Sequence, residues 1–194
     1  VIRMATRVPV VLPMKITDDL LELINESANK YNKGPEKYVY FMTHINHYHE
    51  VTHALALAVK KIRNHGFTIR NQTVFLNHVN DHYKTLAETF RRMFWIGVHP
   101  YYLLQCHKEK GIVHFIAPVQ VGKIYMKHLQ GWISGITVPR YAANIAGGGG
   151  KVLSKYLEPL IKGRVTPMDP DLDARFYNVH GYWKFGKSMW SKGQ

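Results

Sequence analysis

Apolar and polar residues along this chain switch between a period of two and a period near 3.6, and the switches mark out its elements. Ile2–Ala5 and Val8–Leu12 are short β-branched runs broken by Pro9, and the chain opens as if within a strand. Asp18 to Lys30 reads as a helix, with Thr17 at the N-cap and Leu20, Leu21, Leu23 and Ile24 on one side. Asn32-Lys33-Gly34-Pro35 is a turn, and Tyr38 to Met42 is a strand. Val51, Ala54, Leu55, Ala58, Val59 and Ile62 then fall on one helical face, which Asn64-His65-Gly66 closes in a left-handed C-terminus. Thr68 to Leu76 is strand-like, Lys84 to Trp95 helical and Val98 to Leu104 a strand. A helix from about Val119 to Leu129 and a strand near Thr137 to Tyr141 complete the series.

Strands separated by helices at this spacing are the pattern of parallel βαβ units, so the expected class is α/β. The units are too few for the eight of a closed TIM barrel. The regularity stops beyond Lys151. Residues 154–194 carry Pro159, Pro167 and Pro170 among Tyr156, Phe176, Tyr177, Tyr182, Trp183, Phe185 and Trp190. We read 1–153 as one α/β unit and 154–194 as an irregular aromatic- and lysine-rich extension, a surface cover or a homo-oligomer contact.

Composition narrows the partners. The formal charge is +13 and the pI about 9.8, which would suit a polyanion. The basic residues are spread along the chain, however, so nucleic acid is not the expected partner. No apolar run approaches the roughly 18 residues of a membrane span, and no targeting signal opens the chain. The single cysteine, Cys106, excludes an internal disulfide and fits a reducing cytoplasm. Residue 1 is Val and begins what reads as a strand, so the expectation is a piece of a longer protein.

The candidate chemistry centres on Asn144-Ile145-Ala146-Gly147-Gly148-Gly149-Gly150-Lys151. A phosphate-cradling P-loop would need glycine at 145 and Ser or Thr after the lysine, where Ile145 and Val152 stand. Two readings remain. Either Lys151 is a Schiff-base lysine on a mobile hinge, or the glycines are a flexible linker ending in a solvated amine.

Four segments decide between them. They are Ile2-Arg3-Met4-Ala5-Thr6-Arg7-Val8-Pro9-Val10-Val11-Leu12-Pro13; Thr43-His44-Ile45-Asn46-His47; Arg70-Asn71-Gln72-Thr73-Val74-Phe75-Leu76-Asn77-His78-Val79-Asn80-Asp81; and Pro100-Tyr101-Tyr102-Leu103-Leu104-Gln105-Cys106 with Gly111-Ile112-Val113-His114-Phe115. Together with the glycine–lysine run they resemble the lysine 2,3-aminomutase family of radical S-adenosylmethionine, pyridoxal phosphate (PLP)-dependent enzymes, in order and nearly in spacing. The resemblance implies the later part of a partial TIM-type (β/α)6 barrel and an isomerase that turns a small amino acid into its β-amino isomer. It implies three cofactors: PLP, S-adenosylmethionine and a 4Fe-4S cluster. Lys151 would be the PLP lysine, with Gly147, Gly148, Gly149 and Gly150 beside the cofactor. His44 and Gln72 would lie beside S-adenosylmethionine, with Asn46, His47, Asn71 and Thr73 also near cofactor.

Each residue keeps a plainer role. His44 and His47 fit hydrogen bonding better than zinc, since no carboxylate or cysteine completes a site. Asn71 and Thr73 either meet a cofactor or satisfy backbone groups at a strand end. Cys106 is a buried filler, and Tyr101 and Tyr102 should face opposite sides of their strand. No metal ligand is expected within the chain. The family's CxxxCxxC loop is missing, so this chain alone is not expected to be active.

At two positions the chain departs from the lysine-specific pattern. His107 and Asn144 stand where lysine 2,3-aminomutases carry Asp, as in the glutamate enzymes, which have a basic residue and Asn there. An imidazole and an amide suit an acidic or neutral substrate side chain better than an ammonium group. The rival readings are a non-catalytic basic binding module derived from the same barrel, and a PLP enzyme without radical chemistry.

Overall fold

The computed structural model describes residues 1–30, 34, 37–107, 109–145 and 150–154. Six strands form one sheet in the order β1 (Ile2–Ala5), β2 (Val39–Thr43), β3 (Thr68–Phe75), β4 (Val98–Gln105), β5 (Arg140–Ile145) and β6 (Gly150–Leu153). The first five run parallel, β6 returns antiparallel to β5, and the sheet curls into a half-barrel. Between the strands lie α1 (Val8–Val11), α2 (Asp18–Asn29), α3 (His53–Asn64), α4 (Tyr83–Trp95) and α5 (Val119–Trp132). Parallel neighbours taken in sequence order, each joined by a right-handed crossover, put every helix on the same side of the sheet.

The core fills that side. Phe41, Ile69, Phe75, Leu103 and Tyr141 from the strands pack with Leu21, Leu55, Val59, Ile62, Leu86, Phe90 and Leu129 from the helices. Thr17, Thr52 and His82 cap α2, α3 and α4 by accepting backbone N–H groups. Helix α3 ends as its sequence predicts: Gly66 takes φ +80° and the Phe67 N–H returns to the Ile62 carbonyl. Gly122 of α5 has a different task, since a Cβ there would collide with the Tyr141 ring.

The β-branched run Val8–Leu12 holds the one-turn α1, because Pro9 fits a first helical turn, where an N–H is orphaned anyway. Three expectations need correction. The last parallel strand begins at Arg140 rather than Thr137. Gly135–Thr137 is a 3-10 turn, and Pro139 has no N–H for a ladder. Tyr101 and Tyr102 do not alternate cleanly, because the β3–β4 register shifts at Asn71/Gln72 next to Pro100, leaving Tyr101 as the extra residue. Lys151 is not on a free hinge: it is a strand residue paired with Asn144. Residues 155–194, nearly all of the expected extension, lie outside the described residues, as do Gly147, Gly148 and Gly149 of the glycine run.

Candidate active site

Pairing in register carries one face across the whole sheet. Arg3 pairs with Tyr40, Met42 with Arg70, Gln72 with Tyr102, Tyr102 with Arg140 and Asn144 with Lys151. Partners point to the same side and residues two apart do likewise. All these residues therefore share the inner face, opposite the helices. The strands contain no Asp or Glu, and their charged residues are Arg3, Arg70, Arg140 and Lys151. The inner face is thus cationic.

Lys151 reaches across it. Its Nζ donates to Gln72 Oε1 at 3.1 Å and lies 5.2 Å from the centre of the Tyr102 ring. The side chain starts on β6, passes the β5 backbone and ends over β4 and β3. Asn144 and Lys151 are direct antiparallel partners across β5 and β6. Gly150 opens the returning strand, opposite Ile145. Of the expected site residues, the cofactor candidates Lys151 and Gln72 and the substrate candidate Asn144 are brought together here.

His44 comes one residue after the Thr43–Asn71 pair, so continuing the register puts it alongside Gln72. Its Nε2 is buried with no hydrogen-bond partner among the described residues, as is Thr43 Oγ1. Burial holds the imidazole below its ordinary pKa and the Arg7 charge adds to this, while Glu50 and a hydrogen bond with Asn46 oppose it. His44 is therefore held towards the neutral form. A buried, unpaired ring nitrogen at a strand's carboxyl end fits a bound polar ligand.

Asn71 and Thr73 are differently placed. Both side chains are buried on the helix-facing side, at 0% and 1% exposure. Asn71 Oδ1 accepts the Ile45 N–H at 2.7 Å, and its Nδ2 donates to the Ile45 carbonyl at 2.9 Å and to Thr73 Oγ1 at 2.8 Å. Thr73 Oγ1 donates to the same carbonyl at 3.0 Å. The geometry follows the plainer of their two roles, satisfying backbone groups after β2. Asn46 does similar work, its Oδ1 accepting the Val74 N–H at 2.9 Å.

Two anchors escaped the sequence reading. Asn80 donates to the Asn46 and Val74 carbonyls, at 2.8 Å each, and accepts the Leu76 N–H. Glu50 Oε1 accepts the N–H groups of Asn46 and His47, while Oε2 takes the Arg7 guanidinium at 2.6 Å. The Glu three residues after His47 is a capping-box spacing, which was a usable signal; Asn80 had none. His47 itself faces Tyr48 and His49 in a ring cluster, away from the lysine.

At the end of β4, Gln105 donates to the Ala117 carbonyl at 2.8 Å and accepts the buried Tyr141 hydroxyl. Burial pushes the Tyr141 phenol well above its ordinary range. Cys106 is buried, and burial raises its thiol too, as suits a filler. His107 is exposed, and none of the described contacts brings it to Lys151 or Asn144. Among the described residues there is no group of three His, Cys, Asp or Glu able to hold a metal. No helix among them is long and apolar enough to cross a membrane.

Sequence comparison finds lysine and glutamate 2,3-aminomutases. Over 152 residues the chain is 38% identical to a putative L-lysine 2,3-aminomutase of Aquifex aeolicus, covering 78% of this chain and 39% of that protein. It is 38% identical over 152 residues to the L-lysine 2,3-aminomutase of Bacillus subtilis, covering 78% and 30%. It is 35% identical over 158 residues to the glutamate 2,3-aminomutase of Clostridioides difficile, covering 80% and 35%. No family model matches the chain. A radical SAM methyltransferase from Sphaerobacter thermophilus aligns with 72% of this chain and 40% of its own at a TM-score of 0.44 and 16% identity, too low a likeness to bear on fold or function. Over about four-fifths of its length, then, this chain is a sequence relative of lysine and glutamate 2,3-aminomutases, and it spans between 30% and 39% of the length of those three.

Proposed function

We propose that this chain is the later part of the partial barrel of a radical S-adenosylmethionine, PLP-dependent 2,3-aminomutase, with Lys151 as the lysine that holds PLP. The observation that carries this is the Lys151 amine lying at Gln72 on the inner face, with relatives that bear that activity in their names. An enzyme of this kind is an isomerase.

The residues present fit two of the three groups. A primary amine on an open, carboxylate-free face suits an aldehyde cofactor that carries a phosphate. The buried free nitrogen of His44 beside Gln72 suits a polar ligand such as S-adenosylmethionine. A 4Fe-4S cluster does not fit: it needs several thiolates, and the one cysteine here is buried. Its ligands would come from outside this chain.

When bound, PLP supplies an electrophilic aldehyde and an electron-delocalising ring, and S-adenosylmethionine supplies the hydrogen-abstracting chemistry. The protein's part is binding and orientation. Gln72 holds one N–H of Lys151 and so aims the amine across the face rather than into solvent. Tyr102 gives a flat apolar floor beneath it, against which a planar ring can lie. Asn71, Thr73, Asn80 and Glu50 tie down the segment Ile45–His47, which keeps His44 level with Gln72. Asn144, the cross-strand partner of Lys151, places an amide within reach of whatever the lysine holds. An imidazole at His107 and an amide at Asn144, where carboxylates would draw an ammonium group, suit an acidic or neutral substrate side chain.

The test is borohydride trapping. PLP added to the chain and reduced should leave a phosphopyridoxyl mass on the peptide containing Lys151, and Lys151→Ala should carry none. Labelling spread evenly over other lysines in both proteins would refute the assignment.

A further inference from the structure

The lysine is not the only cation at its level of the half-barrel. Gln72, Tyr102 and Arg140 are direct partners on three adjacent strands, so the Tyr102 ring sits between the Lys151 amine and the Arg140 side chain. Tyr101 is the main influence on the Tyr102 phenol and raises it, while the Arg140 charge across the strand pair acts on the same phenol in the opposite sense. The other inner-face cations are engaged or remote. Arg70 is stacked between Tyr40 at 5.0 Å and Tyr101 at 5.1 Å, and Arg3 lies at the far edge on β1.

Among the described residues no carboxylate pairs with Arg140 or Lys151. The ion pairs among the described residues are Arg7–Glu50, Lys61–Asp18, His65–Asp18 and Arg92–Glu88, all outside the sheet. Arg140 is the cross-strand neighbour of Tyr102 on one side, and the Lys151 amine lies at Tyr102 and Gln72 on the other; two cations flanking one aromatic residue, with a carboxamide beside them, suit an oxyanion. No ion pair of Arg140 is found among the described residues, so its five donors are available to a ligand.

We propose that Arg140 and Tyr102 form an anion subsite that captures a phosphate or carboxylate on a molecule bound at Lys151 or beside it. This rests on Lys151 being the aldehyde-binding amine, and it adds a recognition element that the glycine–lysine run does not contain. The shared chemistry is an oxyanion one ring-length from the reacting carbon. It belongs either to the cofactor (its phosphate) or to the substrate (its side-chain carboxylate).

The experiment compares paired aldehydes on the 194-residue chain. Lys151 Nζ condenses with each aldehyde with loss of water, and borohydride delivers hydride to the C=N carbon, leaving a stable secondary amine. Half-saturating concentrations for labelling of Lys151 are measured for pyridoxal phosphate against pyridoxal, and for succinic semialdehyde against butanal. Wild type should prefer the anionic member of at least one pair by about tenfold or more, Arg140→Gln should abolish that preference, and Arg140→Lys should keep part of it. Loss in the pyridoxal pair assigns the phosphate, and loss in the other pair assigns the carboxylate. Ratios that Arg140→Gln leaves unchanged in both pairs overturn the subsite.

A failure of Lys151 itself is distinguishable. If none of the four aldehydes labels it, inorganic phosphate and succinate are titrated into wild type and Arg140→Gln by calorimetry. Binding that the substitution removes upholds the subsite without the lysine's role, and no binding to wild type overturns it. Circular dichroism establishes that the exposed Arg140 can be replaced without loss of fold.

Discussion

Lys151 Nζ lies 3.1 Å from Gln72 Oε1, although 79 residues separate the two in the chain. The contact joins the antiparallel edge of the half-barrel to its third strand. It turns a lysine that could have pointed anywhere into one aimed across the concave face.

That contact should affect labelling without being essential to it. Replacing Gln72 with Met removes the acceptor and keeps the side chain's length. An exposed hydrogen bond contributes about 0.5–1.5 kcal/mol, so the PLP concentration for half-maximal trapping at Lys151 should rise between about twofold and tenfold. Unchanged labelling would mean that Gln72 merely shelters a lysine positioned by its own strand.

The segment after β2 is held by buried amides, and its cost is measurable. Asn71→Ala leaves the Ile45 N–H without its side-chain partner and removes one of the donors to the Ile45 carbonyl. With unsatisfied groups costing about 1–3 kcal/mol each, urea unfolding should show a loss of about 2–4 kcal/mol. Thr73→Val should cost less, since Asn71 still serves the same carbonyl, and the double mutant should be non-additive. A loss below about 1 kcal/mol for Asn71→Ala would show that the strand pairing alone holds this segment.

His44 makes stability depend on pH in a definite direction. Its folded pKa lies below the unfolded value, through burial first and the Arg7 charge second. The unfolded chain therefore binds more protons as pH falls below about 6.5, and stability is lost from there down through the folded pKa. His47 and His99 are lowered by burial as well and act in the same sense. The urea midpoint should fall between pH 7.5 and 5.5, and His44→Gln should reduce that fall. An equal fall in the variant would assign the acid sensitivity to the other histidines.

The substrate reading has its own measurement. In a complete, PLP-loaded enzyme containing this chain, His107→Asp with Asn144→Asp should move binding from glutamate towards lysine by about tenfold or more, as two new carboxylates meet an ammonium group. Spectral titration of the cofactor with each amino acid reads this out. No gain for lysine would show that neither position meets the side chain.

Asn144 and His107 also show how differently two expectations can fare. Asn144 sits on a strand whose partner is Lys151, so adjacency in the ladder brings them together. His107 follows a strand end by two residues, and nothing periodic fixes where it points. Asn71 and Thr73 looked like cofactor residues because they flank Gln72. Alternation along β3 turns both of them to the helices and Gln72 to the open face. A motif read as a unit is split by the pleat.

Local chemistry determined much of this protein from sequence alone. The caps at Thr17 and Thr52, the turn at Gly66, the apolar face of α3 and the parallel βα succession all follow from residue types at short separations, where one turn or one strand decides the outcome. Only the tertiary structure decided that Lys151 belongs to a returning strand, that Arg140 shares its level with Tyr102, and that the sheet's charges are cationic and share one face. Those facts depend on register between strands far apart in the chain. A shift of a single residue reverses every side chain, and no short stretch of sequence states which register wins.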